Sequence, residues 1–184
     1  MTLANKITLS RIGLTFLFMF FLFKEGFVFR FLALLVFLIA SLTDFYDGEI
    51  ARRRRQVSDF GKLMDPIADK ILILSAFIAF VELRLVPAWM VILILSRELL
   101  ITGVRLLAFS KGIVLAAGRG GKHKTMTQIL SVFWILIVLL FKEKNPAVPF
   151  LDASVFYVML FAVWVTVSSG ILYLFRNRPV FYAK

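Results

Sequence analysis

The chain of 184 residues is 61% hydrophobic, with 21 phenylalanines and a mean hydropathy of +0.92. So apolar a composition cannot cover a soluble surface, which excludes a soluble enzyme or binding module and leaves an integral membrane protein with one membrane domain over residues 1–184. The formal charge of +11 would suggest nucleic acid in a soluble protein, but with no soluble domain to present it the charge faces the anionic inner leaflet and anionic substrates, and no nucleic-acid partner is expected.

A helix needs about 20 mostly apolar residues to cross the hydrocarbon core. Six such stretches are expected, roughly 7–24, 28–50, 61–83, 87–109, 124–141 and 153–175. Turn and charge signals separate them: Lys24-Glu25-Gly26, the arginines at 52–55, Arg84 to Pro87, Gly112 to Gly121, and Lys142 to Pro149. The predicted class is therefore all-α, six transmembrane helices entered through a short interfacial N-terminal segment. Lys6 and Arg11 before an apolar run resemble a signal peptide, but residues 24–31 read KEGFVFRF, with no small-residue cleavage site. A retained first span is expected. Asn5, Thr8 and Arg11 share helical spacing and fit an interfacial or solvated face.

Lysines and arginines fix the expected orientation. One side collects Lys6, Arg11, Arg52 to Arg55, Lys62, Lys111, Arg119, Lys122, Lys124, Arg176, Arg178 and Lys184; the other holds only Lys24, Arg30, Arg84, Lys142 and Lys144. Both termini should lie in the cytoplasm. The absence of cysteine rules out disulfides.

The second and third spans carry the chemistry. Asp44 and Asp47, three residues apart, lie about 60° apart on a helix, and Ala51 continues that face. Asp65 and Asp69, four apart, also share a face. A turn between these helices would bring four carboxylates together just inside the cytoplasmic interface. Each costs roughly 2.5–3.5 kcal/mol near hydrocarbon, so clustering them demands compensation. Hard oxygen donors without cysteine suit magnesium or manganese, as two ions sharing ligands, and such sites serve phosphoryl transfer. Gly48, Ala51 and Gly61 either let helices pack closely or open room for a flat ligand, and Arg52 can pair with the carboxylates or bind a phosphate.

The fourth span contains Arg97, Glu98 and Arg105, charges that are rare in membrane helices and usually functional. Glu98 and Arg105, seven apart, lie on nearly one face, so an internal ion pair is the structural alternative. A loop, Gly120-Gly121-Lys122-His123-Lys124, then opens the fifth span, and its amides and ammonium groups can hold a phosphate. It is not a P-loop, since no strand precedes it. Lys111 and Arg119 read as membrane-surface anchors, and His123 as a residue facing headgroups. Together Arg97, Arg105, Lys122 and Lys124 supply more cation than a neutral acceptor needs.

The spacing D-x2-D-G-x2-A-R-x8-G-x3-D-x3-D, filled by Asp44, Asp47, Gly48, Ala51, Arg52, Gly61, Asp65 and Asp69, resembles the signature of the CDP-alcohol phosphatidyltransferase family. That resemblance implies six transmembrane helices, usually a homodimer, and transfer of a phosphatidyl group from a CDP-linked lipid with release of CMP. By position, Asp44, Asp47 and Asp65 would hold one metal and Asp44, Asp65 and Asp69 the other, with Asp69 also the base for the acceptor hydroxyl. Asn5, Thr8, Gly48, Ala51, Arg52, Ser58 and Gly61 would line the CDP-lipid. The order N-x2-T-x2-R, D-P-I-A-D-K, S-R-E, G-V-R and G-K-x-K-T, from Asn5 to about Gln128, is similar to the bacterial members that make phosphatidylglycerophosphate. It implies CDP-diacylglycerol and sn-glycerol 3-phosphate as substrates at the bacterial cytoplasmic membrane. Glu49 and the dense run Arg52 to Arg55 depart from the pattern at variable positions. The rivals are the same chemistry on inositol phosphate, serine or a second lipid, and a small cation transporter. Transporters tend to place acids near mid-membrane in repeated halves, unlike this one-sided cluster.

Overall fold

A computed structural model describes the backbone of residues 3–54, 59–110, 119–145 and 148–178, and the side chains of residues 10–43, 70–110, 123–145 and 148–178. The described residues form six helices and no strand: α1 (Leu3–Phe23), α2 (Phe27–Arg54), α3 (Asp59–Glu82), α4 (Ala88–Ser110), α5 (Arg119–Lys144) and α6 (Pro149–Arg176). The six expected apolar stretches each fall within one of these helices to within a few residues.

Local chemistry explains the ends. Gly26 closes the α1–α2 turn at φ 108°, a backbone region that costs glycine little. At the end of α3, Arg84 takes φ 56°, and Arg84 N–H donates to Val81 O while Leu85 N–H donates to Phe80 O, both at 2.9 Å. This is a Schellman closure built on a non-glycine residue, which satisfies carbonyls that the last helical turn leaves open. Pro149 opens α6, where a missing N–H costs nothing.

Helix α1 packs on α2 and α3, α2 on α5, and α6 on α4 and α5. Phe18, Phe37, Phe77, Phe80, Met90 and Ile135 fill the interior, each almost wholly buried. Large apolar side chains also face outward: Phe16, Phe109, Phe150, Leu172 and Phe175 are at least 70% exposed. A protein that buries one set of phenylalanines and displays another is solvated by lipid. Among the described residues, His123–Lys144 and Pro149–Arg176 are long and apolar enough to cross a membrane by length and composition. Helix α4 carries Arg97, Glu98 and Arg105 within its apolar length, and the first two of these help build the site.

Two helix starts are defined by the structure. Asn5, Thr8 and Arg11 lie on the helix that continues into the first span, and Arg11 is 4% exposed, so it is not on a solvated face. Its carbonyl accepts a hydrogen bond from Thr15 Oγ1 at 2.9 Å. Helix α5 begins at Arg119, so Gly120 to Lys124 form its first turns, not a loop. Helical phase then separates neighbours: His123 is exposed while Lys124 turns inward.

At the end of the bundle that holds the α1–α2 and α5–α6 connections, Arg30 bridges three helices. Its Nε donates to Glu143 Oε1 of α5 at 3.3 Å, and its Nη1 donates to Leu22 O of α1. Lys144 stacks over Phe27 at 4.5 Å. Arg30 and Lys144 are thus committed to packing at this end.

Candidate active site

The acids sit where consecutive helices can share them. Asp44 and Asp47 lie one turn apart in the C-terminal half of α2, followed there by Gly48, Ala51 and Arg52; Gly61, Asp65 and Asp69 lie in the N-terminal half of α3. Their helical state agrees with the periodicity of the motif. Their side chains lie outside the described residues, as do those of Asn5, Thr8 and Lys122, and Ser58 lies outside altogether.

One residue beyond Asp69 the described side chains begin, and they form a polar node at a single carboxylate. Glu98 of α4 is 5% exposed. Its Oε1 accepts from Arg97 Nη1 at 3.0 Å and from Lys124 Nζ of α5, and its Oε2 lies 3.9 Å from Lys70 Nζ of α3. Lys70 also donates to Thr102 Oγ1. Arg97 Nη2 reaches Ser169 Oγ on α6 at 3.2 Å. Four helices therefore meet at this point. A buried carboxylate is tolerated only when charge and hydrogen bonds satisfy it, and here three cations surround one acid. The node carries a net positive charge among the described residues and lies next to Asp69 in the chain.

The structure thus brings Arg97 and Lys124 together. Arg105 goes elsewhere: its Nε donates to Tyr173 Oη at 3.3 Å, and its guanidinium carbon lies 5.3 Å from the Tyr173 ring centre. The pairing of Glu98 with Arg105 is not formed, because Glu98 is occupied by Lys124, Arg97 and Lys70 while Tyr173 of α6 holds Arg105 by a hydrogen bond and its ring face.

Sequence reasoning missed Lys70, Ser169, Gly170 and Tyr173. Lys70 had a signal, a cation inside an apolar run directly after Asp69. For Ser169, Gly170 and Tyr173 the signal was slight, small or mildly polar residues in a helix otherwise notable only for hydrophobicity.

Fold and site together define a helical membrane protein with acidic helix segments beside a buried cationic node. The profile of the CDP-alcohol phosphatidyltransferase family matches residues 1–171. The chain is 41% identical over 187 residues to the CDP-diacylglycerol–glycerol-3-phosphate 3-phosphatidyltransferase of Bacillus subtilis (strain 168), covering 95% of this chain and 94% of that protein. It is 32% identical over 171 residues to the enzyme of the same name from Rickettsia felis, covering 93% and 92%. The chain belongs to the CDP-alcohol phosphatidyltransferase family.

Proposed function

We propose that this protein transfers the phosphatidyl group from CDP-diacylglycerol to sn-glycerol 3-phosphate, releasing CMP and forming phosphatidylglycerophosphate. The observation that carries the choice of acceptor is the node at Glu98, where Arg97 and Lys124 share one carboxylate among the described residues. A phosphate-bearing acceptor offers these two cations charge-assisted hydrogen bonds; a neutral alcohol does not. Substrate names carried by relatives that match nearly the whole chain support the same reading.

The donor set fits a divalent cation. Asp44, Asp47, Asp65 and Asp69 offer only carboxylate oxygens, the donors magnesium and manganese prefer, and no cysteine competes. These four residues would hold two ions, which when bound offset the charge of the donor pyrophosphate and of departing CMP. The chain's own residues do the rest. Asp69 takes the proton from the acceptor hydroxyl, whose oxygen forms the new bond to the lipid-linked phosphorus as the bond to CMP breaks. Asn5, Thr8, Gly48, Ala51, Arg52, Ser58 and Gly61 line the CDP-lipid. Arg97, Arg105, Lys122 and Lys124 bind the acceptor phosphate, Arg105 from its perch on Tyr173. Both substrates meet at the interface because one carries acyl chains and the other is water-soluble. We place the enzyme in the bacterial cytoplasmic membrane as one six-span domain, a homodimer with both termini and the site facing the cytoplasm.

The test is CMP release by the purified protein in detergent with CDP-diacylglycerol, magnesium and a panel of acceptors. Release with glycerol 3-phosphate, lost on chelation, is expected. Release with inositol phosphate or serine instead would overturn the acceptor, and no release from folded protein would overturn the reaction.

A further inference from the structure

Cations bind an anion well only if something fixes them before it arrives. Arg97 shows how this is done. Its side chain is about nine-tenths buried, with Nη1 on Glu98 and Nη2 on Ser169. Its Nε is buried and has no hydrogen-bond partner among the described residues. A charged N–H group left so is costly unless another acceptor completes it. The stem leading to that nitrogen crosses α6 at Gly170: a Cβ there would lie 2.8 Å from Arg97 Cγ and 3.0 Å from Arg97 Nε. No side chain fits at Gly170 unless Arg97 moves. Glycine in a helix interior is disfavoured by propensity, and close packing of helix backbones is the usual compensation. Here the space admits an arginine stem instead.

The neighbouring residue completes the seat. Ser169 Oγ donates to Thr166 O at 2.9 Å, which commits its proton and leaves its lone pairs for Arg97. Thr166 is fixed in turn by Gln128 Nε2 of α5, which donates to its hydroxyl oxygen at 3.0 Å. Groove and hydroxyl are therefore adjacent on one helix and braced by a second.

We propose that Gly170 and Ser169 are positioning residues of the acceptor site, holding the Arg97 guanidinium so that its Nε–H is presented to an anionic oxygen of the phosphate-bearing acceptor. This rests on Arg97 being an acceptor ligand. The experiment measures CMP release by the full-length protein in detergent, varying glycerol 3-phosphate and CDP-diacylglycerol separately, for Gly170→Ala, Ser169→Ala, Arg97→Ala and the double variants with Arg97→Ala. Arg97→Ala and Gly170→Ala should each raise the KM for glycerol 3-phosphate about tenfold or more, the scale of a lost hydrogen bond to a charged group, and leave the KM for CDP-diacylglycerol unchanged. Ser169→Ala should raise it severalfold. With Arg97 already removed, neither α6 substitution should add to the effect. An equal effect in both backgrounds would assign Gly170 and Ser169 to helix packing and overturn the proposal, as would an unchanged acceptor KM in both α6 variants. An unchanged acceptor KM in Arg97→Ala would instead overturn the underlying assignment of Arg97. Should Gly170→Ala not fold, the Ser169→Ala cycle decides alone.

Discussion

At the scale of single residues, the acids and cations divide the work. Asp69→Asn removes the proposed proton acceptor while keeping side-chain size, so CMP release should fall by at least about a hundredfold with little change in thermal stability. Full turnover in that variant would remove Asp69 from the role of base. Glu98 is a different case. It is almost fully buried beneath Arg97 and Lys124, so Glu98→Ala strips a shared counter-charge from buried cations. A loss of about 3–5 kcal/mol is expected, read as a lowered melting temperature of the solubilised protein. An unchanged melt would mean that other groups compensate Arg97 and Lys124. The sequence marked Glu98 as unusual, but only its contacts identify it as a counter-ion of Arg97 and Lys124.

Between elements, polar links cluster at two levels. On the side away from the acids, Arg30 ties α2 to α5 through Glu143 and to α1 through Leu22. Arg30→Ala should lower stability by about 1–3 kcal/mol, since Glu143 is partly exposed and recovers hydration. Both KM values should stay as they are, which steady-state CMP release would show; a changed acceptor KM would couple this knot to the site. At the other level α3, α4, α5 and α6 meet at Glu98. The apolar runs made the helices legible, because 20 apolar residues admit little else in a membrane. Their starts were less legible. Gly120 and Gly121 read as a loop, yet α5 begins before them, because a membrane helix is held by its packed apolar length more than by propensity at its first turn.

For the whole molecule, the distribution of cations predicts an orientation that the chemistry requires. The native chain has no cysteine, so single cysteines at Lys184 and Asn145 can be labelled without background. In intact cells an impermeant maleimide should modify Asn145→Cys and spare Lys184→Cys; the reverse pattern would invert the topology and separate the site from cytoplasmic glycerol 3-phosphate. Composition by itself determined the membrane class, and the length of the apolar runs determined the helices, since both depend on the solvent and on the backbone's need for internal hydrogen bonds. Fixed spacing determined the family, because eight specified positions on two helices leave little room for coincidence. The tertiary structure alone decided which charges meet. Arg97, Lys124 and Lys70 converge on Glu98, Arg105 turns to Tyr173, and α6 contributes a groove at Gly170. Apart from Arg97, the neighbour of Glu98 in the chain, those partners come from other helices, 26 to 72 residues away where a hydrogen bond joins them, and which faces of such helices meet is set by packing over their whole length, which no local pattern of residues records.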